Sequence, residues 1–261
     1  MVQSDRYGLR DKVAIVTGGG EGIGKATAML LAHYGAAVVL AGRTEATLQA
    51  ASTEIQAATL GRCIGIPTDA RDQDQVTNLV ARTAEEFGRI DILVNNVGWS
   101  DRFAISALSY ENWRKEFALN LDSAFFGSRA VFEHFRAQRS GAIVNTSSVA
   151  GVDGVQGLAA YSAAKSALQM FTRVSAAEWG SHGIRVNAVA PGLIATDNAM
   201  RDFTAANLDV DGICADRPLR RAGRPEEVAG AIVFLASDAA SYITGETIQV
   251  TGGPVLGGSA D

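Results

Sequence analysis

The chain is poor in the residues that build disulfide-braced, metal-bound or membrane-spanning folds. Among its 261 residues are only 2 cysteines, 3 histidines and 5 prolines. Cys63 and Cys214 stand far apart in sequence with no CxxC pair, which argues against a disulfide framework and suits a reducing, cytoplasmic setting. His33, His134 and His182 lack ligand spacing, so no catalytic metal is expected. The opening MVQSDRYGLRDK has no apolar leader and no uninterrupted apolar stretch of about 18 residues follows, so neither export nor a membrane span is expected. Lys and Arg number 23 against 28 Asp and Glu, a net charge of −5. Without a basic stripe to neutralise phosphates, neither nucleic acid nor an anionic membrane is expected as a partner.

What is present is core-forming material: 47% hydrophobic and 20% charged residues, the balance of one well-packed domain spanning 1–261. A chain of this size buries roughly three quarters of its surface on folding. Short apolar runs suited to strands cover Val13 to Thr17, Ala37 to Ala41, Cys63 to Thr68, Ile92 to Asn95, Ala142 to Thr146, Arg185 to Ala190 and Thr247 to Val250. Helical periodicity covers Ile23 to Tyr34, Glu45 to Ala58, Asp74 to Phe87, Trp113 to Gln138, Tyr161 to Gly180 and Glu226 to Ala236. This alternation predicts a doubly wound, Rossmann-like α/β domain with a parallel sheet of about seven strands. Leu193 to Arg224 reads as a long substrate loop with one short helix around Thr204 to Leu208. Ligands in such a fold lie outside the carboxyl ends of the strands.

After the first strand comes Thr17-Gly18-Gly19-Gly20-Glu21-Gly22-Ile23-Gly24, opening into a helix. Glycines permit a tight turn and let a pyrophosphate approach the free N–H groups and positive dipole end of that helix. Tyr161 and Lys165 are four apart on one helix and share a face. A nearby ammonium should lower the phenol pKa, making Tyr161 a candidate general acid in reduction and base in oxidation. Ser148, just past the fifth strand, could hold the substrate oxygen. Asn120 is a polar residue within an apolar helix and must find partners. Taken singly, each residue also admits a structural reading: a turn cap for Ser148, a solvated helix face for Tyr161 and Lys165, a buried structural amide for Asn120.

Together these segments resemble the short-chain dehydrogenase/reductase family. The TGxxxGxG spacing of Gly18, Gly22 and Gly24, the Asn95-Asn96-Val97-Gly98 segment with Val in place of the usual Ala, and the order Asn120, Ser148, Tyr161, Lys165 all match it. So do Pro191-Gly192 followed by Thr196, and the Pro218 to Ala229 stretch. The resemblance implies Asn120, Ser148, Tyr161 and Lys165 as catalytic residues, with Asn120 supporting a water chain to the lysine. It implies cofactor binding by Gly18, Gly20, Gly22, Ile23, Gly24, Arg43, Thr44, Asp69, Ala70, Asn96, Gly98, Tyr161, Lys165, Pro191, Gly192, Ile194 and Thr196.

At the end of the second strand Gly42 stands where NAD-preferring relatives carry Asp, and Arg43 follows. A guanidinium suits a 2′-phosphate, so NADP(H) is favoured and NAD(H) remains open. Glu21, where many NADP-preferring relatives have a basic residue, points the other way. The reading is an NADP-dependent oxidoreductase acting on a ketone or secondary alcohol, of the carbonyl or 3-oxoacyl reductase type. Its alternatives are an NAD-dependent alcohol or hydroxysteroid-type dehydrogenase, an enoyl reductase, and a non-catalytic nucleotide-sensing protein.

An apolar small-molecule substrate is expected. Met200, Phe203, Leu208, Val210 and Ile213 would form a lid, with Trp99, Phe103, Val149 and Val152 as the opposite wall. The resemblance also implies a homo-oligomer, a tetramer. Leu168, Met170, Phe171 and Val174 and the segment Thr251 to Asp261 are candidates for contact with a partner.

Overall fold

Side chains alternate along each central strand between two separate cores. Ala14 and Val16 of β1 (Val13–Thr17) enter one core, and Ile15 enters the other. Val38 and Leu40 of β2 (Ala37–Gly42) do the same against Val39 and Ala41. The pattern continues in β4 (Ile92–Asn95) and β5 (Gly141–Thr146). A strand must be apolar at every position to serve both layers, which is why these segments read as unbroken hydrophobic runs. The remaining strands are β3 (Cys63–Pro67), β6 (Ile184–Pro191) and β7 (Thr247–Val250). All pair in parallel, in the order β3-β2-β1-β4-β5-β6-β7. The structure is a computed structural model that describes residues 7–205 and 207–254. The last seven residues of the tail considered for partner contact lie outside them.

One core holds α1 (Gly22–His33), α2 (Glu45–Thr59) and α10 (Pro225–Ala236), through residues such as Leu31, Ile55 and Ile232. The other holds α3 (Gln73–Phe87), α5 (Ser123–Gln138) and α7 (Ala159–Trp179), through Leu79, Phe135 and Ala176. Helix starts follow local chemistry. The Asp72 carboxylate accepts from the N–H groups of Asp74 and Gln75 at 2.9 and 3.1 Å, and the Ser109 hydroxyl accepts from Asn112 N at 3.1 Å.

Two expectations need correction. The predicted helix from Trp113 to Gln138 is three pieces: α4 (Tyr110–Phe117), a π turn (Ala118–Asp122), and α5. It starts earlier because Ser109 caps it, and its hydrogen-bond ladder widens at Asn120. The loop expected to meet the substrate carries α8 (Asp197–Ala205) and α9 (Val210–Cys214) rather than a helix at Thr204 to Leu208. The Thr196 hydroxyl accepts from Ala199 N at 3.1 Å and starts α8 well before the expected position. A short helix α6 (Ala150–Asp153) follows β5 and packs against α7.

Candidate active site

The sheet order reverses between β1 and β4, and the carboxyl ends of these strands part there. Hydrogen bonds tie three strand ends together. Thr17 Oγ1 accepts from Asn96 N at 3.0 Å, Asn96 Nδ2 donates to Gly18 O at 3.4 Å, and Thr146 Oγ1 donates to Asn96 Oδ1 at 3.3 Å. The glycine turn then enters α1. Gly18 has φ +63° and Gly22 φ +52°, in the left-handed region. A β-carbon on Gly24 would lie 2.1 Å from Gly18 O, so the turn can close this tightly only with glycine there.

This cradle fits a dinucleotide. Gly20 belongs to the same turn, and Ile23 is the second residue of α1. Thr196 faces the turn, its Cγ2 lying 3.1 Å from where a Gly22 β-carbon would stand. Pro191 ends β6, Gly192 donates to Val250 O at 3.0 Å, and Ile194 is buried. At the other end of the cleft, β2 and β3 finish side by side, with Gly42 opposite Pro67. Arg43 and Thr44 are exposed there, and Ala70 is buried. The Asp69 carboxylate is bound by the Arg71 guanidinium, and this pairing, with a smaller effect of Arg43, holds its pKa low. Glu21 accepts a hydrogen bond from Asn198 Nδ2 of α8 at 2.9 Å, so its carboxylate is engaged by the loop.

The four catalytic candidates gather at the ends of β4 and β5. Ser148 follows β5, and the backbone there is fixed against α7. Ser147 Oγ donates to Lys165 O at 3.0 Å, while Gln169 Nε2 donates to Ser147 Oγ at 3.0 Å and Ser148 O at 3.2 Å. The Ser148 hydroxyl accepts from Ala150 N at 3.1 Å and lies close enough to Tyr161 to favour its phenolate. Lys165 is buried, and its Nζ donates to Thr146 O at 2.9 Å. That nitrogen lies 2.9 Å from where a β-carbon of Gly98 would project, and Asn120 Oδ1 lies 3.0 Å from the same point. Gly98 therefore lets the lysine and the asparagine converge.

The electrostatics differ from the expectation that the lysine lowers the tyrosine pKa. Burial pushes the Tyr161 phenol up, only partly offset by the Ser148 hydroxyl, with Glu116 pushing the same way as burial. Burial pushes Lys165 down to about 8, opposed by the Glu116 carboxylate. The lysine nitrogen stands 5.7 Å from the Tyr161 ring centroid, over the ring. Glu116 itself was missed in the sequence. It is buried on α4 and accepts from Asn120 Nδ2 at 3.0 Å. Its signal was available: a carboxylate one helical turn before Asn120.

The lid candidates divide. Met200, Phe203 and Val210 are half-buried, whereas Leu208 and Ile213 are exposed. Of the facing wall, Trp99 and Val152 are exposed, and Phe103 pairs with Leu158 through a short parallel bridge. A cavity of about 850 Å³ lies beyond Gly22, between α1 and the start of α10. It is lined by Lys25, His33, Glu54 and Arg224 among others, and includes none of the four catalytic candidates. On α7, Leu168 is buried in the core, whereas Met170 and Val174 are exposed.

A family model described as enoyl-(acyl carrier protein) reductase matches residues 18–254. A 3-oxoacyl-[acyl-carrier-protein] reductase of Synechocystis sp. is 43% identical over 249 residues, covering 95% of this chain and 98% of that one. A cis-4-hydroxycyclohexanecarboxylate dehydrogenase of Sinomonas cyclohexanicum is 41% identical over 247 residues, covering 93% and 96%. Among solved structures, levodione reductase superposes with a TM-score of 0.89 at 34% identity, covering 93% of this chain and 97% of that one.

Proposed function

We propose, for a chain that belongs to the short-chain dehydrogenase/reductase family, that it reduces a ketone or oxidises the matching secondary alcohol with NADP(H). The observation that carries this reading is the convergence of residues at the end of β5: Ser148 close enough to Tyr161 to act on its phenol, and the buried Lys165 with its nitrogen over the Tyr161 ring and beside Asn120 across Gly98. In reduction, Ser148 holds the carbonyl oxygen and Tyr161 gives it a proton. In oxidation Tyr161 takes the alcohol proton. The charge of Lys165 stabilises the phenolate that is left or formed. A nicotinamide dinucleotide, when bound, supplies or accepts the hydride. The glycine turn, Asn96, Pro191 to Ile194 and Thr196 would hold it, and Arg43 at the exposed end of β2 supports a 2′-phosphate. The Asn198 amide fixes the Glu21 carboxylate without neutralising it, so its charge still weighs against a 2′-phosphate.

The half-buried Met200 and Phe203 of α8 and the exposed Trp99 after β4 support a cyclic or fatty substrate over a sugar, and one relative is named for a cyclohexane alcohol. Exposed Phe125, Met170 and Val174 on α5 and α7 support self-association, the tetramer of the resemblance. Two buried free cysteines suit the cytoplasm. Among the described residues no helix is long and apolar enough to cross a membrane.

The family model's description favours a second reading, reduction of a C=C bond conjugated to a thioester. NADPH oxidation with a cyclic ketone, an acetoacetyl thioester, a keto sugar and a crotonyl thioester separates the two. Turnover of either ketone that is lost in Tyr161→Phe, with NADPH binding kept, supports carbonyl reduction. Turnover of the crotonyl thioester alone overturns it, and preference for the sugar overturns the apolar pocket. Tyr161→Phe should cost far more than tenfold, so loss of under about 1.4 kcal/mol of transition-state stabilisation would remove it as the general acid.

A further inference from the structure

Glu116 is a buried acidic residue of α4 whose carboxylate is ringed by donors. One oxygen accepts from Asp101 N at 3.0 Å and the other from Asn120 Nδ2 at 3.0 Å. A backbone N–H and an amide NH₂ both donate, one to each oxygen, which is the surrounding a carboxylate needs to stay charged when buried. The same Asn120 amide nitrogen also donates to the carbonyls of Trp99 at 2.8 Å and Glu116 at 3.0 Å. With the NH₂ group committed to that side, Asn120 Oδ1 must face the other way. There it accepts from Trp99 N at 3.3 Å and lies beside Gly98, across which stands the Lys165 nitrogen.

We propose that Glu116 is a positioning residue of this site, orienting the Asn120 amide and supplying the negative charge that keeps the buried Lys165 protonated behind Tyr161. The proposal rests on the roles given above to Asn120, Tyr161 and Lys165. The titratable groups facing Glu116 are Asp101 from the loop after β4, and Lys165 and Tyr161 from α7. Asp101 and burial work against the carboxylate's charge, and Lys165 works for it. Glu116 in turn raises the pKa of both Lys165 and Tyr161. Removing its charge should therefore move both titrations to lower pH.

The chain has four lysines, Lys12, Lys25, Lys115 and Lys165, so NMR of side-chain-labelled lysine, with Lys165→Arg for assignment, reads Lys165 directly. In Glu116→Gln the Lys165 midpoint should move to lower pH while those of Lys12 and Lys25 stay. In Glu116→Asp, which keeps the charge but shortens its reach, the midpoint should remain near wild type while kcat falls about tenfold from the loosened Asn120. With NADPH and a ketone, the alkaline limb of the Glu116→Gln profile should shift toward acid, an effect that a purely structural role would not produce. A Lys165 midpoint unmoved in folded Glu116→Gln overturns the proposal whatever the ketone assay gives. Should Glu116→Gln not fold, an Asp variant with its Lys165 midpoint at lower pH and kcat unchanged overturns it instead. A wild type without ketone turnover but with the midpoint shift present would overturn the reductase reading and leave the coupling intact.

Discussion

The ammonium nitrogen of Lys165 stands over the Tyr161 ring, 5.7 Å from its centroid, and its 2.9 Å hydrogen bond runs to the carbonyl of Thr146. The charge lies over the ring and is held by backbone at the end of β5. Burial makes this lysine costly, and that cost can be measured.

Lys165→Met should stabilise the fold at pH 7. The folded pKa, about 8, lies below the unfolded value near 10.5. Below pH 8 both states are protonated and the folded state bears the full penalty of the buried charge. Between 8 and 10.5 the folded state sheds its proton first, so wild-type stability recovers relative to the variant. The shift corresponds to about 3 kcal/mol, reduced by the hydrogen bond lost at Thr146, leaving a gain of roughly 1–3 kcal/mol at pH 7. Denaturant unfolding at pH 7 and 10.5 checks this. A variant less stable than wild type at pH 7 contradicts it.

Gly98→Ala should damage catalysis more than stability. Its new β-carbon would stand 2.9 Å from Lys165 Nζ and 3.0 Å from Asn120 Oδ1. Both side chains must yield, so kcat should drop about tenfold or more while Tm moves by a few degrees at most. Unchanged kcat in a folded variant would show that their convergence is dispensable.

Arg43→Ala should discriminate between the two cofactors. Loss of a charge-assisted hydrogen bond worth about 1.5–3 kcal/mol weakens NADPH binding by roughly 10- to 150-fold and leaves NADH nearly unaffected. Fluorescence titration with each cofactor measures the ratio. Equal losses for both would place the 2′-phosphate elsewhere.

Asn198→Ala should loosen the loop from the glycine turn by removing the donor to Glu21. An exposed hydrogen bond of this kind is worth less than about 1 kcal/mol, so substrate KM should rise about two- to fivefold with Tm unchanged. Steady-state kinetics at saturating cofactor reads it, and an unaltered KM would mean that the contact has no part in closure.

The central sheet was legible because burial on both faces leaves a mark on every residue of a strand. Ile15 and Val16 enter different cores, so neither could be polar. The glycine turn was legible because few residues other than glycine tolerate its backbone angles. The π turn was hidden: a ladder widened by one residue at Asn120 follows from how Asn120, Glu116 and Trp99 bond to one another, not from the periodicity of apolar positions. The split of the substrate loop into α8 and α9 was blurred for another reason. Met200 and Phe203 share a face of α8 but neither is fully buried, so its apolar stripe is short, and the Thr196 cap marks its start. The direction of the Tyr161 shift also escaped the sequence. Helical spacing says that two side chains share a face, but only the packing shows how little water reaches them.

Ile194 and Gly223 lie side by side in a short parallel bridge, with Ala195 N donating to Gly223 O at 2.8 Å and Gly223 N to Leu193 O at 3.0 Å. The two feet of the substrate loop are thereby fastened to each other as well as to the sheet. Once its ends are pinned, a loop becomes insensitive to its own length: doubling it costs only about 0.6 kcal/mol of closure entropy. Beyond Thr196 and Asn198, which touch the glycine turn, the segment can change in length at small entropic cost to the rest of the domain. On the proposed function, that stretch would be a replaceable cassette, through which one unchanging proton-transfer apparatus could be refitted to molecules of very different size.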